Sequence, residues 1–212
     1  MIIVDTAPAV TLIRDTMPPP LAQPRVTPAE YLALERRARE KSEYVNGRIY
    51  AMAGAGRVHN LIAGNVFGEL RTMLRGRPCE TYMSEMRVKV QHTGMYTYPD
   101  VVALCGEPRL EDAELDTLLN PSVIVEVLSP STESYDRGEK FAHYRRLDTL
   151  QEYVLVAQVK PRIEHFRREG DHWVLTEISD ADGALTLSSL GCTLALADIY
   201  ERVEFPAADI AR

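Results

Sequence analysis

Cysteine is scarce in this chain. There are three in 212 residues, at positions 79, 105 and 192, and no two form a Cys-x-x-Cys pair. That spacing points to neither a zinc site nor a disulfide framework, and the cytoplasm is the expected compartment. Long apolar runs are missing, so no bilayer span is expected. The first residues lack a basic stretch and their apolar run is broken, which speaks against a secretory leader. A basic excess is missing too: the formal net charge is −7. Any contact with nucleic acid must then rest on a locally basic surface, because phosphate neutralisation supplies most non-specific affinity. No Gly-x-Ser-x-Gly elbow occurs, Cys105 follows no nucleophile motif, and Gly54-Ala55-Gly56-Arg57 lacks the phosphate-loop pattern. His59 has no second His or Cys at ligand spacing, and no internal repeat is visible.

What remains is the composition of one folded domain. Residues 1–25 hold Pro8, Pro18, Pro19, Pro20 and Pro24 with no sustained period, and read as an extended arm. Residues 26–212 read as a single domain, long enough for a substantial core. Thr27-Pro28-Ala29-Glu30 opens a helix of about thirteen residues, with an N-cap, Pro at N1 and Glu at N3. Asn46-Gly47 between apolar pairs signals a type I′ hairpin. A long amphipathic helix runs from about Val58 to Arg75, closed by Gly76. Cys79 to Val90 reads as one long strand, Glu152 to Ala157 as a short one, and Arg162–Arg168 with His172–Ile178 as a hairpin. A last short helix is expected at Asp198. The fold class is α/β, more narrowly an α+β mixed sheet flanked by helices.

Two carboxylates stand out. Asp100 lies in Tyr98-Pro99-Asp100-Val101-Val102-Ala103-Leu104 and Glu126 in Ser122-Val123-Ile124-Val125-Glu126-Val127-Leu128. Both runs are otherwise apolar and β-branched, the pattern of strands covered on both faces. A buried carboxylate there needs a cation or hydrogen-bond donors, and a divalent metal serves two at once. Pairing with an arginine, or exposure at a strand end, is the competing account. After Pro130 stops the strand, Asp136 reads as the N-cap of a helix reaching about Leu147. Lys140 and Tyr144 share one face of it, and Lys140 leans back toward the Glu126 strand. A solvated helical lysine is the bland alternative.

Pro99-Asp100, then Glu126 in Glu-Val-Leu-Ser-Pro-Ser-Thr, then Asp136 and Lys140 resemble the PD-(D/E)XK nuclease superfamily, and within it the bacterial Uma-type group. The likeness spans roughly Val26 to Val203. It implies a restriction-endonuclease-like core and a magnesium-dependent DNA endonuclease, with manganese able to substitute. Asp100 and Glu126 would be catalytic metal ligands, joined by the backbone carbonyl of Val127. The superfamily lysine, two residues after the Glu, is Leu128 here, so the resemblance passes that role to Lys140. Glu43 is implied as a third carboxylate, holding the metal from outside or orienting water. His59 is implied near the phosphate, with neutral packing on the sheet as the alternative, and Tyr144 as a hydrogen-bonding neighbour on the substrate side. DNA and a second copy of the chain are the expected partners, giving a homodimer without membrane association. The rival reading is a catalytically silent binding or assembly module on the same fold, which Leu128 and the acidic balance favour. A metal hydrolase of small phosphate esters is a third.

Overall fold

The computed structural model describes residues 25–180 and 182–205. The proline-rich arm lies outside them except for Arg25. A first helix, α1 (Pro28–Glu35), starts with the expected capping box, Thr27 and Glu30 each bonding the other's backbone. It is shorter than expected because the chain leaves helical geometry after Arg36. The hairpin β1 (Ser42–Val45) and β2 (Arg48–Ala51) pairs Val45 with Arg48. Asn46 and Gly47 both take positive φ, 51° and 83°, as a type I′ turn demands. Helix α2 (Arg57–Met73) follows.

The stretch expected as one strand is two, β3 (Cys79–Met83) and β4 (Arg87–Val90), which join different sheets. The turn at residues 84–86 lets the chain change sheets, so each half finds its own apolar partner. Next come β5 (Met95–Thr97), β6 (Val101–Cys105), β7 (Thr117–Leu118) and β8 (Val123–Leu128). After β8 a helical segment has three parts: α3 (Glu133–Tyr135), a π-turn (Asp136–Lys140) and α4 (Phe141–Tyr144). Then β9 (Glu152–Ala157), β10 (Ile163–Glu169) and β11 (His172–Ile178) form a meander. An unforeseen hairpin, β12 (Ala184–Leu187) with β13 (Cys192–Ala195), and α5 (Leu196–Ile199) close the described chain.

Beside the two-stranded sheet β12-β13 there are two larger sheets, the first with the order β2-β1-β5-β4-β7 and the second β11-β10-β9-β8-β6-β3. The second is mixed, with β8 and β9 parallel and its other pairs antiparallel. Its central strands are buried on both faces. Val101, Ala103, Val123, Val125 and Val127 pack with Ile62, Val66 and Leu70 of α2. Val102, Leu104, Ile124 and Leu128 pack with Val88, Val90 and Met95 of the other sheet and with Phe141 and Tyr144. Each such side chain, fully buried, contributes about 1.5–3 kcal/mol. This apolar surplus tolerates the charged cluster described below.

Cys79 and Cys105 are disulfide-bonded, against the expectation from their spacing. They are 26 residues apart in sequence, but the β3–β6 register sets them directly opposite each other. No helix among the described residues is long and apolar enough to cross a membrane.

Candidate active site at the seam of two sheets

Residues 98–100 carry the chain from β5 in one sheet to β6 in the other. Pro99 has no backbone N–H to continue either ladder, so the crossover falls there. Asp100 stands at this seam. The β6–β8 register pairs Val101 with Val125, and one step further sets Asp100 opposite Glu126. Asp100 Oδ2 accepts from the Val127 N–H at 2.7 Å and lies 3.1 Å from His59 Nε2, which the first turn of α2 brings in.

Lys140 is the centre of the cluster. Its Nζ lies 2.9 Å from Glu126 Oε1, 3.1 Å from Glu43 Oε1 and 3.6 Å from Asp136 Oδ1. These come from three elements, β8, β1 and the π-turn, and all four side chains are buried. Asp136 is therefore not a helix N-cap. Thr132 occupies the cap position, and the π-turn rotates Asp136 inward onto Lys140. Single π-turns of this kind often accompany functional sites. Arg137 points the other way and pairs with Glu164 of β10 at 2.8 Å, and also with Glu133. The Tyr153 hydroxyl donates to the Asp136 carbonyl at 3.1 Å.

The electrostatics follow from this crowding. Burial pulls the Lys140 ammonium down, but Glu126, Glu43 and Asp136 outweigh it and hold it well above the ordinary lysine value. Burial pushes the Glu126 carboxyl up, against the pull of Lys140, with Asp100 and Asp136 adding to the rise. Asp136 is raised as well, by burial first, with Lys140 opposing. The two directions agree once the charges are counted. One ammonium cannot satisfy several buried carboxylates, so it stays charged while they are short of positive charge. Lys140 is thus a donor and a charge, not a neutral base near pH 7.

Of the side chains singled out from sequence, Glu43, Glu126, Lys140 and Tyr144 converge, and Asp100 with His59 flanks them. Tyr144 is fully buried, and its hydroxyl donates to Glu126 Oε1 at 2.7 Å. It braces the carboxylate from behind rather than facing a substrate. Val127 meets the group through its N–H, while its side chain packs on the α2 side. His59 Nδ1 is buried without a partner among the described residues. Thr97, fully buried, was not anticipated: its hydroxyl donates to Glu43 and lies 3.3 Å from the Tyr144 hydroxyl. The signal available was a threonine alternating with Tyr96 and Tyr98 just before Pro99. Among the described residues no three His, Cys, Asp or Glu side chains form a ready-made ligand set.

Comparison with known proteins agrees with this architecture. Two Synechocystis proteins, both described as uncharacterized, are similar over most of their length. One is 38% identical over 164 residues, covering 77% of this chain and 93% of the relative. The other is 37% identical over 183 residues, covering 86% and 95%. The crystal structure of a putative nuclease belonging to DUF820 from Anabaena variabilis shares the fold, with a TM-score of 0.69 at 17% identity over 82% of this chain and 97% of that one. The model of the Uma2 family, described as a putative restriction endonuclease, matches residues 28–197, and the chain belongs to that family.

Proposed function

We infer that this chain is a magnesium-dependent DNA endonuclease that hydrolyses phosphodiester bonds at the seam between its two larger sheets. The observation that carries this reading is the buried lysine, Lys140, shared by Glu43, Glu126 and Asp136 beside Asp100. Four carboxylates and one ammonium leave the cluster short of positive charge. The donors are all oxygen, which suits a hard divalent cation. Asp100 and Glu126 would hold the ion, with the Val127 carbonyl as a further ligand and manganese as a substitute. When bound, it supplies polarisation of the scissile phosphate and a more acidic attacking water.

The chain's own groups supply the rest. Lys140 has three N–H donors, and its charge sits at ion-pair distance from Glu43 and Glu126. Asp136 lies further off at 3.6 Å, and the ammonium would turn a donor toward a phosphoryl oxygen or toward the attacking water. A fixed charge aimed at the phosphate stabilises the transition state without needing to reorganise. Glu43 holds Lys140 in line and orients water. His59 holds Asp100 and contacts the phosphate. Tyr144 and Thr97 fix Glu126 and Glu43.

Cleavage of supercoiled plasmid in magnesium or manganese tests this, comparing wild type with Asp100→Ala. Nicked or linear product from wild type alone supports the reading. No cleavage by wild type in either metal overturns it in favour of the silent binding module, which Leu128 at the superfamily's lysine position favours.

A further inference from the structure

We propose that the β1–β2 hairpin is a gripping surface for unpaired nucleotides beside the scissile bond, with Tyr50 stacking on a base and Arg48 and Arg57 meeting phosphates. This rests on the nuclease reading and names how its substrate is held.

Three independent observations converge. The first is position. Residues directly opposite on antiparallel strands share a sheet face. Glu43 pairs with Tyr50 and Val45 with Arg48, so Tyr50 and Arg48 lie on the face that carries Glu43 into the site. On its other side Glu43 meets Thr97 of β5. Tyr50, Glu43 and Thr97 thus form one row across the sheet, and Tyr50 ends it, one strand spacing of about 4.8 Å outward from the carboxylate.

The second is exposure. Among the described residues strand β2 pairs only with β1, and all four of its residues are exposed. Tyr50 is 49% exposed and Ile49 39%. Edge strands are ordinarily protected by charge or covered, so an exposed aromatic here is a surface kept for contact. The loop beyond it is open, with no atom of the described residues within 4 Å of a Cβ built on Gly54 or Gly56.

The third is charge. In a chain of net charge −7, residues 44–68 contain no Asp or Glu, yet carry Arg48, Arg57 and His59. Arg48 and Arg57 are both exposed. This acid-free stretch supplies exposed positive charge beside the site, which an acidic nuclease needs. An exposed phenol ring with Arg48 on the same strand face suits a base whose own face is free, which a stacked duplex does not offer.

Fluorescence anisotropy tests this with a labelled single-stranded oligodeoxynucleotide and the duplex of the same sequence. Calcium replaces magnesium, and gels verify that the probe stays intact. The wild type should bind the single strand more tightly than the duplex. Tyr50→Ala should weaken that binding about tenfold, and Tyr50→Trp should restore it. Arg48→Ala and Arg57→Ala should each lower the salt slope of single-strand binding by about 0.7. Melting temperatures should not move. If wild type cleaves plasmid but Tyr50→Ala binds the single strand as wild type does, this inference falls and the nuclease reading stands. If Tyr50→Ala changes only the sedimenting mass, the face is a contact between copies and the inference falls. If wild type binds neither probe and cleaves nothing, both fall.

Discussion

Lys140 and Glu126 form a buried ion pair across the seam, Nζ to Oε1 2.9 Å, and the pair is outnumbered by carboxylates. Buried ion pairs add little net stability, because desolvation offsets the Coulomb attraction. An arrangement with more buried acids than bases is worse still for the fold. On the nuclease reading, a bound cation would offset that excess of negative charge.

Lys140→Ala should abolish cleavage, with a loss of about a hundredfold or more for one transition-state charge contact. It should also destabilise the fold. Lys140 is only 6% exposed, so removing it strands Glu43, Glu126 and Asp136 together. Breaking a buried pair this way costs about 3–5 kcal/mol. Denaturant melts at neutral pH measure this. A stability equal to wild type would show that the carboxylates do not depend on the lysine. Asp100→Ala, at the rim, is the cleaner activity variant.

Magnesium should stabilise the wild type in proportion to its occupancy. At a hundred times its Kd the gain is about 2.7 kcal/mol. Asp100→Ala should lose most of that gain without any assay of turnover. Calorimetry and thermal shift with magnesium read it directly, and equal binding by the two proteins would remove Asp100 from the metal site.

Much of this site was legible in the sequence, for reasons that can be named. Asp100 and Glu126 broke β-branched apolar runs, and such a run has few ways to accommodate a charge. Asn46-Gly47 fixed one hairpin because few residues take two positive φ values in succession. What stayed hidden depended on three-dimensional register. Asp136 has the spacing of a capping residue, and only the π-turn turns it inward. Cys79 and Cys105 meet only because β3 lies beside β6. Residues 79–90 alternate well enough to read as one strand, while the change of sheet at residues 84–86 has no local signature.

Thr97→Val should act through position alone. It keeps the shape but removes the hydroxyl that bonds Glu43 and neighbours Tyr144. A fall in kcat of about tenfold with KM little changed is expected, since the nuclease reading has the groups it fixes act in the transition state. Thr97→Ser should recover most of the activity. A KM effect alone would mean that Thr97 serves binding instead.

Light scattering should find a homodimer at micromolar concentration. A duplex with unpaired nucleotides at the cut still has two strands to cleave, which calls for two sites, and two-fold symmetry matches the pseudo-symmetry of DNA. A monomer mass would leave single-strand nicking as the activity to look for.

Glu152 should govern part of the acid stability. It is buried on β9, where its carboxylate takes a 2.8 Å contact from His165 Nε2 and accepts from the Ser189 N–H at 2.7 Å. Burial alone would raise its pKa, but His165 and Ser189 outweigh burial and hold it below the ordinary 4.5. The sign follows from proton uptake. The unfolded chain binds this proton more readily, so the contribution is complete above about pH 4.5 and is lost as pH falls through the lower folded value. Hydrogen bonds to a charged group contribute about 1.5–3 kcal/mol, which sets the expected scale. Glu152→Gln keeps the shape and can still accept from Ser189, but it loses the charge that meets His165. Its stability should lie below wild type at pH 7, and the gap should narrow as pH falls below about 4.5. Urea melts of both proteins from pH 3 to 7 measure this. A gap independent of pH would show that packing, and not the charge, is what Glu152 contributes.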